Sequence, residues 1–130
     1  MTVGMSTTLR DAMLDAITTA AGGSALLNIY SGTRPATGGT ATTLLAQLTC
    51  NATFAPASSA GVLTLNAIAS ASASATGTAS WARLYKSDGT TFVMDLSVGT
   101  SGADINLNST ALASGATVSV SSATITAGNP

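Results

Sequence analysis

Apolar positions along the chain follow two periods. Between residues 6 and 22, Leu9, Ala12, Met13, Ala16, Ile17 and Ala20 recur at i, i+3, i+4, i+7, i+8 and i+11, the spacing of one face of an α-helix. Ser6, Thr7 or Thr8 supplies a side-chain oxygen to cap the first turn. Asp11 is expected there too, where the helix dipole favours negative charge. Gly22-Gly23 supplies the stop. The pattern predicts a helix over about residues 6–22 whose apolar stripe closes one end of a sheet. The alternative is a stripe that docks on a neighbouring subunit.

After Gly23 the period falls to two, the signature of strands. Strands are predicted over residues 25–31, 43–54 (with Leu44, Leu48 and Cys50 facing the core), 62–68, 78–86, 91–98, 105–108 and 116–127. The last carries a register shift at Ser121-Ser122. Pro35, Pro56 and clusters of Gly and Ser separate the first of these. Residues 69–76, ASASASAT, fit a loop or an edge strand. The clearest hairpin places Ala79, Trp81, Arg83 and Tyr85 on one face. It turns at Ser87-Asp88-Gly89-Thr90 and returns from Thr91, with Asp95 opposite Arg83 as a cross-strand ion pair. One helix and seven or eight short strands predict a mainly β fold, an antiparallel β-sandwich or jelly-roll-like domain with one N-terminal α-helix. A single domain over residues 1–130 is expected, with no repeat of solenoid length.

Composition narrows the function. Ala, Thr, Ser and Gly fill 77 of 130 positions, so the core must be built from small side chains. Mean hydropathy is +0.43 and only 7% of residues are charged, which excludes the charge-rich composition of disordered chains. Net charge is −1, leaving no electrostatic footprint for nucleic acid or an anionic membrane. The chain has neither His nor Glu, and so lacks the commonest general base and metal ligand. No Gly-x-Ser-x-Gly elbow or phosphate-binding glycine loop appears. Cys50 stands alone and reads as a buried structural thiol. Asp88 and Asp104 read as turn residues. No catalytic residue, metal site or cofactor is expected, and the chain is read as non-enzymatic. The long uncharged stretch over residues 36–81 is broken by Gly, Asn and Pro and is not a membrane helix. The N-terminus lacks a basic segment followed by an apolar run, so no secretory signal is read. Two residues stand out as candidate interface positions: Arg34, a loop cation before Pro35, and Trp81, the single tryptophan. The bland alternatives are a surface Arg and a core Trp.

Three segments carry a resemblance: residues 9–15 (LRDAMLD), 25–35 (ALLNIYSGTRP) and 81–90 (WARLYKSDGT). They resemble small β-rich structural proteins of tailed bacteriophages and prophages. The resemblance implies a virion component, first a capsid decoration (cement) protein bound to the major capsid protein. A tail- or baseplate-associated, host-surface-binding protein is the alternative. By analogy with decoration proteins it implies a homo-oligomer, a trimer first and a dimer second. It brings no functional residues with it.

Overall fold

The computed structural model describes residues 4–127. Helix α1 (Thr7–Ala21) precedes ten strands. They are β1 (Leu26–Ser31), β2 (Leu44–Thr49), β3 (Val62–Thr64), β4 (Ala71–Ser72) and β5 (Gly77–Tyr85), then β6 (Phe92–Gly99), β7 (Ile105–Leu107), β8 (Ala111–Leu112), β9 (Thr117–Val118) and β10 (Val120–Thr126). The main sheet runs β2-β1-β5-β6-β7-β10-β3, with β8 on β5, and β4 pairs with β9 apart from it. All pairings are antiparallel except β6–β7. The fold is mainly β with one N-terminal helix, and the arrangement is consistent with a β-sandwich. Residues 69–76 resolve into an edge strand: Ala71–Ser72 pairs with β9, and the Ser74 N–H donates to the Leu45 carbonyl.

The core lies on one face of the sheet, where Leu27, Ile29, Leu48, Leu63, Ala82, Leu84, Leu96 and Ile105 are fully enclosed. Strand β2 departs from the expected alternation. Ile29 faces Ala46 but Tyr30 faces Leu44, so Leu45 is an extra residue in a bulge, which turns its side chain inward. Leu45 is therefore buried and Leu44 exposed, the reverse of the expectation for Leu44. Strand β2 also stops at Thr49. Cys50 is held just beyond it by its N–H on the Ala25 carbonyl. The expected register shift near Ser121-Ser122 is present between Val120 and Ser122.

The helix docks mainly by the face away from the stripe its periodicity suggests. Ser6 caps it through the Leu9 N–H, and Gly22 ends it with φ +70°. Asp11 lies beyond the first turn and serves another partner. The inward face carries Arg10, Asp11, Leu14, Asp15 and Ala21, and it meets a tight turn over residues 58–61. Asp11 accepts from the Gly61 N–H (2.8 Å) and Asp15 from the Ser58 N–H (2.8 Å). The Ser58 hydroxyl donates to the Asp11 carbonyl, and Arg10 donates to the Ala127 carbonyl. Leu14 and Ala21 supply the buried apolar contact, and Ile17, at the edge of the expected stripe, is half-buried against the core. Gly61 is favoured here because its φ of +76° is a conformation that residues with a Cβ rarely adopt. These carboxylate hydrogen bonds to otherwise unpaired backbone donors, together with the burial of Leu14, set the orientation against the burial of Leu9 and Met13. Leu9 and Met13 are left 48% exposed, so the stripe does not close the sheet.

The β5–β6 hairpin forms as expected, with Arg83 opposite Asp95 and Leu84 opposite Met94. The Asp88 carboxylate accepts from the Thr90 and Thr91 N–H groups and the Thr91 hydroxyl, and Gly89 adopts φ +73°. Gly89→Val forces a β-branched residue into that left-handed conformation and should cost about 1 kcal/mol or more. Urea denaturation of the variant reads this directly. An unchanged midpoint would mean that the turn tolerates a side chain at this position.

Candidate functional site

Alternation along β1 and β5 sends Leu27, Ile29, Ala82 and Leu84 to the core and Asn28, Tyr30, Trp81, Arg83 and Tyr85 to the other face. Pairing aligns Asn28 with Arg83 and Tyr30 with Trp81. The Tyr30 and Trp81 rings stack at 4.4 Å and 16°. Asn28 donates to the Tyr30 hydroxyl and accepts from Gln47 Nε2 (2.9 Å). Arg83 lies against the faces of Trp81 and Phe92, at 5.1 and 5.2 Å from the ring centroids. Its Nε and Nη2 donate side-on to Asp95 at 2.6 and 3.2 Å.

Residues 32–43 cross this outer face. Gly38 N–H donates to Asp95 Oδ2 (3.1 Å), and Trp81 Nε1–H donates to the Thr42 hydroxyl (2.9 Å). The Thr42 hydroxyl in turn donates to the Ser31 carbonyl, and the Ser80 hydroxyl to the Gly32 carbonyl. Trp81 is thereby 1% exposed, and the Arg83 and Asp95 side chains 5% each. The sheet is buried on both sides at this hairpin.

The electrostatics follow from that enclosure. Burial pushes Asp95 up. The hydrogen bonds from Arg83 and Gly38, with the positive charges of Arg83 and Arg34, overcome this and hold the carboxyl below its ordinary value. Arg83 is held above its ordinary value, chiefly by its hydrogen bond to Asp95, with the Tyr85 hydroxyl adding to it against desolvation. Burial raises Tyr30. The Thr91 hydroxyl and the Thr91 and Thr90 N–H groups lower Asp88 to about 2.

The remaining carboxylate is engaged in the same way. Asp104 accepts from the Ser97 N–H and hydroxyl, pinning the β6–β7 connection. All five carboxylates thus accept hydrogen bonds within the chain. Cys50 is enclosed, and burial pushes its thiol up to about 11. Among the described residues no three His, Cys, Asp or Glu side chains gather where a metal ion would fit, and no helix is long and apolar enough to cross a membrane.

The two candidate interface residues do not form one patch. Trp81 is enclosed and serves as a core residue of the single chain. Arg34 is exposed on the covering loop, and its charge helps to lower the Asp95 carboxylate. Sequence reasoning found the Arg83–Asp95 pair from the turn centre. It missed Asn28, Tyr30 and Phe92 as partners of that pair, although alternation already put Asn28 and Tyr30 on the face away from Leu27 and Ile29. It also did not single out Leu9 and Met13 as exposed residues. Comparison of the chain with family models, curated proteins and solved structures finds no match.

Two measurements check this geometry. The Asp95 oxygens meet three donors, and Asp95→Asn turns an amide N–H₂ toward one of them. The variant should lose about 3–5 kcal/mol near neutral pH by leaving Arg83 buried without its counter-charge. Because folding lowers the Asp95 pKa, its contribution is present above the ordinary carboxylate value and lost as pH falls through the folded one. The gap between wild type and variant in urea should therefore narrow in acid; a gap constant with pH would contradict the assignment. The Cys50 thiol should ignore a disulfide reagent at about pH 8 and react fully once the protein is denatured. Rapid reaction of the native protein would contradict its burial.

Proposed function

We propose that this chain is a non-enzymatic structural protein of a bacteriophage particle, a capsid decoration (cement) protein that binds the major capsid protein shell as a homo-oligomer in the virion. The observation that carries the reading is the use of charge. Seven of the nine charged side chains form hydrogen bonds within the fold. Carboxylates committed to holding turns and a loop are poorly placed for acid–base work. What remains outside is a surface mostly of small neutral side chains, with Arg34 and Asp88 among its few charges, and a helix with exposed Leu9 and Met13. Such a surface suits close, repeated packing against other protein. The resemblance of residues 9–15, 25–35 and 81–90 to phage structural proteins supplies the setting.

Weak contacts made by each copy add up when many copies sit on one shell. The test is to mix purified protein with capsids stripped of accessory proteins and to image the averaged particle. Density repeated at symmetry-related positions over the shell is expected. Density confined to the tail would move the assignment to a tail- or baseplate-associated protein, and no binding to either would reject the virion reading.

A further inference from the structure

Helix α1 is reversed relative to an ordinary surface helix, which turns its apolar stripe inward and its charges to water. Here Arg10, Asp11 and Asp15 face the body, and the outward stripe holds no charge. Along the middle of that stripe lie Leu9, Met13, Ala16 and Ala20. Their spacing of 4, 3 and 4 sets them in one line along the helix, a seam of positions by which two helices can pack side by side. All four are exposed, and Ala12 flanks them. The seam is also graded, with two large side chains in the N-terminal half and two alanines in the C-terminal half.

We propose that this seam is a self-association surface, on which two copies of the chain pair their α1 helices antiparallel about a two-fold axis. A second copy is the occupant that the seam fits by charge and by shape. It brings no ion needing a partner and no like charge to oppose. Antiparallel pairing sets Leu9 of one copy against Ala20 of the other and Met13 against Ala16, so each large side chain meets a small one. Parallel pairing would stack Leu9 on Leu9 and Met13 on Met13 and leave the alanines facing a gap. Antiparallel helix dipoles also attract. A face of 15 residues is about 22 Å long and falls well short of the roughly 800 Å² per partner of a stable interface. The pairing is therefore concentration-dependent in free solution and reinforced wherever copies are held side by side. The proposal rests on the homo-oligomer of the preceding section and specifies a dimer.

Sedimentation of the full chain from about 10 μM to about 1 mM tests it, a range that brackets a weak dimer. The mean mass should rise from the 12.6 kDa monomer toward twice that value. Met13→Glu, at an exposed helix position, should melt like wild type and stay monomeric throughout. Under mild oxidation Leu9→Cys combined with Ala20→Cys should form covalent dimers, whereas Leu9→Cys alone should not. Wild type that is monomeric across the range overturns the proposal. So does an oligomer that Met13→Glu leaves intact, or cross-linking by Leu9→Cys alone. Capsid binding separates this from the decoration reading. A monomer that still coats stripped capsids rejects only the helix pairing, and a dimer that never binds them rejects only the decoration role.

Discussion

Between the rings of Trp81 and Phe92, the Arg83 guanidinium donates side-on to Asp95, and both side chains are almost fully enclosed. An ion pair removed from water this far gives little net stability unless its remaining lone pairs are used. Here they are. The second Asp95 oxygen also takes the Gly38 N–H, so the residues that cover the hairpin are tied to the ion beneath them. With that cover in place, Tyr30 and Trp81 are stacked and buried although they lie on the face of the sheet away from the aliphatic core. The domain thus has two packed layers around β1 and β5. This offsets a composition too poor in large side chains to build one thick core.

The same use of charge recurs at the helix. Asp11 and Asp15 satisfy backbone donors of the 58–61 turn, and Arg10 reaches the end of β10. The helix is fixed by polar groups on its inner face and left apolar outside. In most small domains the balance runs the other way, because charged residues are plentiful and water is the cheapest place for them. With nine charged side chains in 130 residues, the fold spends most of its ions on turns and loops, and its outer surface is nearly neutral, with Arg34 and Asp88 among its few charges. That neutrality links the fold to the proposed role, since a particle-bound protein must approach copies of itself and a shell closely.

Much of the fold was legible in the sequence. The change of period at Gly22-Gly23 separated helix from strands, and the Asp88-Gly89 turn set the register that placed Arg83 opposite Asp95. The Leu45 bulge was not legible, because an extra residue in a strand leaves the local pattern almost intact while reversing which leucine is buried. Nor was the docking face of α1. Its periodicity marked the apolar side correctly but carried no information on the carboxylate partners at Ser58 and Gly61, which lie more than forty residues away. At the candidate interface, Trp81 was conspicuous as the single tryptophan, but its enclosure depends on the Thr42 and Gly38 contacts of a loop with no periodic signal of its own.

The central claim is that α1 holds the domain by its charged face and presents its apolar face outward. Hydroxyl-radical footprinting of dilute protein measures this residue by residue. The account predicts fast labelling of Leu9 and Met13, little labelling of Leu14, and slowing at Leu9 and Met13 alone as concentration rises. Protection of Met13 at every dilution, together with labelling of Leu14, would show that the helix is docked the other way round and would contradict the account.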